Sequence, residues 1–185
     1  MNKRTFVAIP VYVSRELADR IHLWREILNN DKIRWTHMNS MHLTISFIGE
    51  TAIEHIPLIG DFLTEKLVSV YENELVVGAP GFFGKPESPS VLWVDVHVPD
   101  EIKALREKLD NFLRELGYKR DSRAYQPHLT IGRVKSLKQP DKLLSFIEKN
   151  KNALKYLLPL KEIIFYESKL SEKGATHLPL KIFKL

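Results

Sequence analysis

The chain has 185 residues, 44% of them hydrophobic, and a formal net charge of +5 at pH 7. This length suffices for one large core or for two small lobes that share an interface. The sequence contains no cysteine, which excludes disulfides, thiolate metal sites and thiol nucleophiles and fits a cytoplasmic protein. No apolar run reaches the roughly 18 residues of a membrane-spanning helix.

The first half of the sequence alternates between strands and helices. Residues 6–9 predict a strand. The alternative, a signal peptide, is disfavoured because the apolar run over residues 6–13 is too short and contains Pro10. Ser14 is the predicted N-cap of a helix. The apolar face of this helix is Leu17, Ile21, Trp24 and Leu28. The further predicted elements are a strand around His42 that ends at Gly49-Glu50, a helix over about 54–70 and a strand over 75–77.

The second half repeats this order of elements. Residues 91–94 predict a strand, Asp100 is the predicted N-cap of the next helix, and Gly117 is its predicted C-cap. The apolar face of that helix is Leu105, Leu109, Phe112 and Leu116. The remaining predicted elements are a strand around His128, a helix over about 141–150 and strands over 163–165 and 178–185. The Gly- and Pro-rich residues 78–89 between the halves are interpreted as a long turn.

This repetition predicts an α+β fold with a duplicated, bilobal architecture. We expect two pseudo-symmetric antiparallel-sheet lobes with helices on their outer faces, and a central cleft that would hold the active site. The repeat units span approximately residues 1–80 and 90–185. Because each half is too small to be a stable fold by itself, the two halves are expected to form a single two-lobed domain over residues 1–185.

The tetrapeptide His-Leu-Thr-Ile occurs twice, at residues 42–45 and 128–131. On a strand, alternation sends the His and Thr side chains to one face and the Leu and Ile side chains to the other. Two such strands related by a pseudo-twofold axis would form a cage suited to a phosphate ester. The four candidate catalytic residues are His42, Thr44, His128 and Thr130.

Two imidazoles can divide the proton transfers of an in-line displacement at phosphorus. One ring accepts a proton from the attacking oxygen while the other donates one to the leaving oxygen, since histidine titrates near neutrality. The Thr hydroxyls would donate hydrogen bonds to the non-bridging oxygens. This chemistry requires no metal and no cofactor. Because the two motifs are nearly identical, the sequence leaves open which of His42 and His128 is the acid and which the base.

Other catalytic sites find no support in the sequence. It has no H-E-x-x-H, G-x-S-x-G, P-loop or G-x-G-x-x-G motif. A zinc site built from His37 and His42 is an alternative, but their spacing puts the two side chains on opposite faces of a strand. The isolated His22, His55 and His97 are interpreted as structural.

These features resemble those of the two-histidine phosphoesterases, in particular the RNA 2',3'-cyclic phosphodiesterase family, historically called 2'-5' RNA ligases. The resemblance runs nearly end to end. It comprises the opening strand 6–9, the pair Arg34-Trp35, the motif segments 42–50 and 127–134, and the C-terminal signature 167–170 with Gly174-Ala175. Two positions depart from it: Gln126 stands where Arg is common, and His177 stands where Tyr is usual.

The resemblance implies a metal-independent hydrolysis that opens a terminal 2',3'-cyclic phosphate of RNA to a 2'-phosphomonoester. It assigns His42 as the proton donor and His128 as the proton acceptor. Three alternatives stay open: a 2'-5' RNA ligase, a phosphodiesterase for another 2'-5' or cyclic nucleotide substrate, and a non-catalytic module that binds RNA ends. The expected partner is RNA with a 2',3'-cyclic phosphate end, with no membrane involved and a monomer as the default state.

Three aromatic residues near the motifs are candidates for substrate binding. Trp35, Phe47 and Tyr125 offer rings on which bases of single-stranded RNA could stack. Core packing is the other interpretation, which is favoured for Phe47 and open for Trp35 and Tyr125.

Basic residues near the motifs are further candidates for substrate binding. Arg133 follows Thr130 by three residues, so alternation places it on the opposite face unless the strand twists or ends there. A phosphate contact and a structural role therefore both stay open for Arg133. The residues that could steer the RNA backbone are Arg34, Lys119, Arg120 and Arg123.

Overall fold

The computed structural model describes residues 1–119, 124–151, 156–172 and 174–185. The strands are β1 (Asn2–Pro10), β2 (Lys32–Trp35), β3 (His42–Ala52), β4 (Asn73–Lys85), β5 (Ser88–His97), β6 (His128–Ser136), β7 (Tyr156–Leu160), β8 (Glu162–Ser171) and β9 (Gly174–Lys184). The helices are α1 (Arg15–Ile27), α2 (His55–Leu67), α3 (Asp100–Glu115) and α4 (Pro140–Asn150), with a 3₁₀ helix at Met38–Ser40. The predicted α+β class is confirmed.

The described strands join one antiparallel sheet in the order β7-β4-β5-β6-β3-β1-β8-β9, and β2 pairs with β6 as well. Strands β3 and β6, which carry the two His-Leu-Thr-Ile motifs, are neighbours in the middle of this order. The sheet continues from β3 through β1, β8 and β9, and from β6 through β5, β4 and β7. These two ends are the two lobes, named below the His42 lobe and the His128 lobe.

Each half of the chain contributes strands to both lobes. β4, from the first half, pairs with β5 and β7 in the His128 lobe. β8, from the second half, pairs with β1 and β9 in the His42 lobe. Each lobe therefore contains strands from both halves, so the repeat units of the sequence do not coincide with the lobes. The single domain over residues 1–185 stays a prediction.

Two pairs of helices cover the lobes. In one pair, Phe62 of α2 stacks on Phe112 of α3 at a centroid distance of 4.3 Å, and both helices pack against β3. In the other pair, Trp24 of α1 meets Phe146 of α4 edge to face at 5.6 Å, and α4 packs against β4. The buried residues of both lobes form one hydrophobic core. None of the helices in the described ranges is long and apolar enough to span a membrane.

The helix ends follow the predicted caps with one exception. The Ser14 hydroxyl accepts a hydrogen bond from the backbone N–H of Leu17 at 3.3 Å, which confirms it as the N-cap of α1. Gly117 follows the end of α3 with φ of +89°, a left-handed conformation that suits glycine. The predicted N-cap Asp100 is wrong, because the extended residue before α3 is Pro99 and Asp100 is already helical.

The interpretation of residues 78–89 as a long turn is also wrong. Residues 78–85 lie in β4 and residues 88–89 lie in β5, and residues 86–87 form the turn of this hairpin. Shifts in the strand pairing near Pro80 and Gly84 accommodate the irregular residues. Gly81 serves close packing, since a Cβ there would lie 2.2 Å from the Trp93 ring. Glycine and proline in this segment thus mark strand irregularities.

Candidate active site

The two motifs meet where Leu43 of β3 pairs with Leu129 of β6. Because the strands run in opposite directions, each histidine lies beside the threonine of the other motif. Leu43 is 0% exposed and Leu129 is 1% exposed, so both leucines point into the core. The histidines and threonines are half-buried on the opposite face, in agreement with the predicted alternation.

A cavity of about 570 Å³ opens on this face of the sheet. The described residues that line it include Thr44, Thr130 and His128, but not His42. His42 is close enough to His128 for the charge on His128 to lower its pKa. The structure therefore brings the four predicted catalytic residues together, with His42 at the margin of the cavity.

Backbone carbonyls anchor both histidines in the same way. The Nδ1 atom of His42 lies 2.9 Å from the carbonyl oxygen of Ser40, and Nδ1 of His128 lies 2.7 Å from the carbonyl oxygen of Gln126. A carbonyl can only accept, so each Nδ1 carries a hydrogen and donates it. Nε2 is thereby the ring nitrogen that can exchange a proton with a substrate.

The electrostatic environment of His42 disfavours its charged form in the free protein. Burial lowers the pKa of His42 most, and the charges of His128 and Arg133 lower it further, while the hydrogen bond to Ser40 raises it. An anion bound among these groups would offset the repulsion between them. Binding of a phosphate would therefore favour protonated His42.

Aromatic rings pack around each histidine, but they differ between the lobes. The Phe83 ring lies edge to face with His128 at a centroid distance of 4.8 Å. The neighbours of His42 are the ring of Phe6 at 5.1 Å and a third imidazole, that of His177, at 5.0 Å. The His177 position, noted in the sequence as a departure from the family, thus lies against a catalytic candidate.

An irregularity in β6 turns Arg133 toward the cavity. The pairing of β6 with β5 shifts by one residue between Thr130 and Gly132. Ile131 and Gly132 are consecutive and both buried, so the alternation restarts after them. Arg133 is exposed and lines the cavity. Strict alternation would put Arg133 on the opposite face, and this bulge is the kind of strand irregularity that was the exception to it.

The same irregularity occurs in β3 and exposes Phe47. The pairing of β3 with β1 shifts between Thr44 and Ser46, and the consecutive Ile45 and Ser46 are both buried. Phe47 is 52% exposed and lines the cavity, so the favoured interpretation of core packing is wrong. The guanidinium of Arg4 lies 4.9 Å from the centroid of the Phe47 ring.

Tyr125 lines the cavity and also supports one of the motifs. Its hydroxyl donates a hydrogen bond to the backbone carbonyl of Thr44 at 3.2 Å. The guanidinium of Arg106 lies 4.2 Å from the ring centroid and covers one face of the ring. Burial is the largest cause that raises the pKa of Tyr125, to about 12, so the phenol stays protonated.

Trp35 packs against the hydrophobic core and is not among the described residues that line the cavity. A Cβ on Gly132 would lie 3.2 Å from its ring, and the Arg25 guanidinium lies 5.6 Å from the ring centroid. Of the two interpretations that the sequence left open, core packing describes Trp35 better than base stacking.

The predicted basic residues have different positions. Arg34 is exposed and pairs across strands with Arg133, so both side chains lie on one face of the sheet. The Arg34 guanidinium lies against Gly174, whose φ is +132°. Lys119 lines the cavity. Two residues fall outside the described ranges: Arg120 and Arg123.

Helix α3 contributes a charged pair to the cavity that the sequence analysis missed. The buried Asp110 accepts a hydrogen bond from the Ser46 hydroxyl at 3.2 Å and another from Nε of Arg106 at 3.4 Å. All three residues line the cavity. The sequence carries no signal for this pair, because Arg106 and Asp110 have the i, i+4 spacing of an ordinary ion pair on a helix surface.

The histidines interpreted as structural lie outside the cavity lining. Nδ1 of His55 lies 2.8 Å from the Tyr118 hydroxyl, and Nε2 of His97 lies 3.7 Å from a carboxylate oxygen of Asp95. Within the described parts of the chain, no three His, Asp or Glu side chains are grouped as ligands for a metal ion.

Comparison with known proteins assigns the family. The sequence profile of the 2'-5' RNA ligase superfamily matches residues 14–169, a range that contains both histidine motifs. This chain belongs to the 2'-5' RNA ligase superfamily. The predicted resemblance to the two-histidine phosphoesterases is thereby confirmed.

Several relatives within the superfamily are named RNA 2',3'-cyclic phosphodiesterase. The protein from Thermotoga maritima is 32% identical over 147 residues, which cover 78% of this chain and 76% of that one. The protein from Methanothermobacter thermautotrophicus is 25% identical over 187 residues and covers 100% of both chains. The protein from Archaeoglobus fulgidus is 28% identical and covers 98% of this chain and 99% of its own.

Solved structures share the fold at lower identity. Escherichia coli LigT, crystallised with 3'-AMP, superposes with a TM-score of 0.71 at 19% identity, covering 100% of this chain and 99% of LigT. A protein of Thermus thermophilus superposes with a TM-score of 0.72 at 19% identity, covering 98% of this chain and 97% of its own. These matches confirm the predicted two-lobed fold for this member of the superfamily.

Proposed function

We propose that this protein hydrolyses the terminal 2',3'-cyclic phosphate of RNA to a 2'-phosphomonoester. The observation that carries the proposal is the pairing of Leu43 with Leu129, which brings two anchored imidazoles and two hydroxyls to one face of the sheet. The names of the relatives support the same reaction.

The two imidazoles divide the proton transfers. A water molecule attacks phosphorus opposite the 3'-oxygen and gives a proton to Nε2 of His128. The bond between phosphorus and the 3'-oxygen breaks, and Nε2 of His42 donates its proton to that oxygen. The products are a 2'-phosphomonoester and a 3'-hydroxyl, and solvent returns the proton from His128 to His42. This division of roles follows the family resemblance.

The charge of the transition state is carried by the non-bridging oxygens. The hydroxyls of Thr44 and Thr130 donate hydrogen bonds to them, and the guanidinium of Arg133 neutralises part of their charge. The approach of the anionic phosphate to Arg133 also reduces the repulsion by which Arg133 lowers the pKa of His42. Substrate binding therefore converts His42 to the protonated form that the proton donor needs.

The rest of the cavity holds the nucleotides on the 5' side of the cyclic phosphate. Phe47 offers an exposed ring for a base, and Tyr125 offers the part of its ring that Arg106 leaves open. Lys119 lines the cavity and Arg34 lies on the face of Arg133, so both attract the RNA backbone. Affinity should therefore fall as salt concentration rises.

The reaction as proposed uses only side chains of this protein and no metal ion, because imidazoles carry both proton transfers. Two further properties stay predictions: a monomeric state and a cytoplasmic location. A 2'-5' ligase activity would be the reversal of hydrolysis or of a related transesterification at the same site. A module that binds RNA ends without cleaving them is the remaining alternative.

The test uses a short RNA with a 2',3'-cyclic phosphate end, in excess EDTA, with the position of the product phosphate determined. The wild-type protein should form the 2'-phosphate. The rate of the His42→Ala variant should be about 10²- to 10⁴-fold lower than the wild-type rate. His22→Ala, at an exposed position of α1, is the matched control. Inhibition by EDTA with rescue by zinc would contradict the metal-free reaction, and RNA binding without conversion would favour the binding module.

A further inference from the structure

A third imidazole lies in contact with the proposed proton donor. His177 of β9 pairs across strands with Ser168 of β8. Its ring meets the ring of His42 at a centroid distance of 5.0 Å and an interplanar angle of 81°. It also meets Phe6 edge to face at 4.9 Å. The contact fixes one side of the His42 imidazole, while the hydrogen bond to Ser40 fixes the ring nitrogen Nδ1.

The surroundings of His177 favour its neutral form. Its Nδ1 atom is buried and has no hydrogen-bond partner among the described residues. A charged imidazole must donate from both nitrogens, so a proton on this atom would lack an acceptor. Burial first, and then the charge of His42, lower the pKa of His177 to about 4.

Further groups face this pair from the neighbouring strands. Tyr166 of β8 lies 6.2 Å from His177, and burial is the largest cause that raises its pKa to about 12, so it is uncharged at neutral pH. Arg133 of β6 acts on His42 through its positive charge, and His128 does so whenever its own ring is protonated. A further cation beside His42 would oppose protonation of His42 more strongly.

We infer that His177 is a positioning residue for His42: its uncharged ring packs against the His42 imidazole and keeps a further positive charge away from the proton donor. The inference rests on the proposed function for the role of His42. The equivalent support of His128 comes from Phe83, which cannot titrate.

The contact can be tested by NMR titration of the imidazole rings in the free protein, without substrate. In wild type the His177 resonances should stay constant between about pH 5 and 8. In His42→Gln the pKa of His177 should rise, because the charge of His42 is gone, but it should stay below 6.5 because burial is the larger cause and remains. His128→Gln is the matched control and should leave the pKa of His177 in place. A wild-type His177 that titrates near 6.5, or no rise in His42→Gln, would overturn the inference.

The charge effect can be tested with His177→Lys and His177→Met, which have side chains of similar length and differ in charge. Lys should lower the pKa of His42 and so move the alkaline limb of kcat/KM at least about half a unit lower than in the Met variant. His177→Ala should lower kcat roughly 10- to 100-fold with KM little changed, and His177→Phe should recover most of that loss.

Superimposed pH profiles of the Lys and Met variants, or an Ala variant with wild-type kcat, would overturn the inference. Circular dichroism of each variant separates these effects from loss of the fold. A wild-type protein without turnover would contradict the proposed hydrolysis. The contact between His177 and His42 would still be tested, because the NMR titration needs no substrate.

Discussion

Phe47 and Arg133 occupy equivalent positions in the two lobes. Each lies five residues after the histidine of its strand, and a one-residue shift in strand pairing turns each toward the cavity. One lobe thus contributes an aromatic ring and the other a guanidinium. The site is symmetric in its proton-transfer groups and asymmetric in the groups that would hold the substrate.

Arg133→Ala should lower kcat/KM for a 2',3'-cyclic phosphate roughly 10- to 100-fold, because a charged hydrogen bond contributes about 1.5–3 kcal/mol. The same change should raise the pKa of His42, because the positive charge of Arg133 lowers that pKa in the wild type. Steady-state kinetics and NMR titration measure the two effects. Lys135→Ala removes a nearby exposed charge on β6 and is the control. No change in either quantity would contradict a phosphate contact.

Phe47→Ala should raise KM for an RNA substrate, because stacking of one base contributes about 1–3 kcal/mol. The ring is exposed, so the free energy of unfolding should change little. The measurement compares KM for the wild type, Phe47→Ala and Phe47→Tyr, where the Tyr variant keeps a stacking surface. Equal KM values for the wild type and the Ala variant would rule out base stacking on this ring.

Tyr125→Phe should lower the free energy of unfolding by about 0.5–1.5 kcal/mol, because its hydroxyl donates to the Thr44 carbonyl. The ring that Arg106 covers is retained, so the loss concerns the hydrogen bond. Since this bond holds the backbone at Thr44, kcat should fall too. Urea unfolding is compared with Tyr71→Phe, at a position that is 75% exposed. A Tyr125→Phe protein as stable as the control would contradict the role of the bond.

Gly81→Ala should lower both stability and kcat, because the new Cβ would lie 2.2 Å from the Trp93 ring, which packs near His128. Overpacking of this kind costs about 1–3 kcal/mol. Gly78→Ala on the same strand is the matched control, since its Cβ would meet its nearest atoms at an ordinary 3.5 Å. Thermal unfolding and kcat/KM are measured for both variants, and similar losses at the two positions would refute this account.

Acidification should destabilise the protein through His42 and His177, because the fold lowers the pKa of both. The unfolded chain keeps values near 6.5 and binds more protons than the folded protein, so stability falls as the pH drops from about 6.5 toward 4. His177→Phe removes one contribution and should show a smaller decline. Urea unfolding at pH 7 and pH 5 measures this decline, and equal declines in the two proteins would exclude a contribution from His177.

The catalytic candidates could be predicted because a repeated motif and strand alternation are local properties of the sequence. The identical residues around His42 and His128, together with the expectation that both strands join one sheet, are enough to predict that the two histidines lie close together. The positions beyond each threonine could not be predicted in the same way. Phe47 and Arg133 depend on bulges, which arise from the pairing of their strands with β1 and β5, and such partners are remote in sequence.

Other differences also have tertiary causes. Gly81 looks like a turn residue in the sequence, but its role depends on the ring of Trp93 on the neighbouring strand. Arg106 and Asp110 look like an ordinary charged pair on a helix surface, and only the packing of α3 against β3 brings them to the cavity. The short strand β2 has little hydrophobic pattern and forms through its pairing with β6.

The contribution of both chain halves to each lobe also determines when a lobe can close during synthesis of the chain. β1 leaves the ribosome well before its partner β8, because β2 to β7 lie between them in the chain. Until residues 162–171 emerge, the nascent His42 lobe has β1 as an open edge that can pair with other chains. The long separation between partners makes this closure slow. The nascent His42 lobe therefore keeps one unpaired strand edge through most of its synthesis.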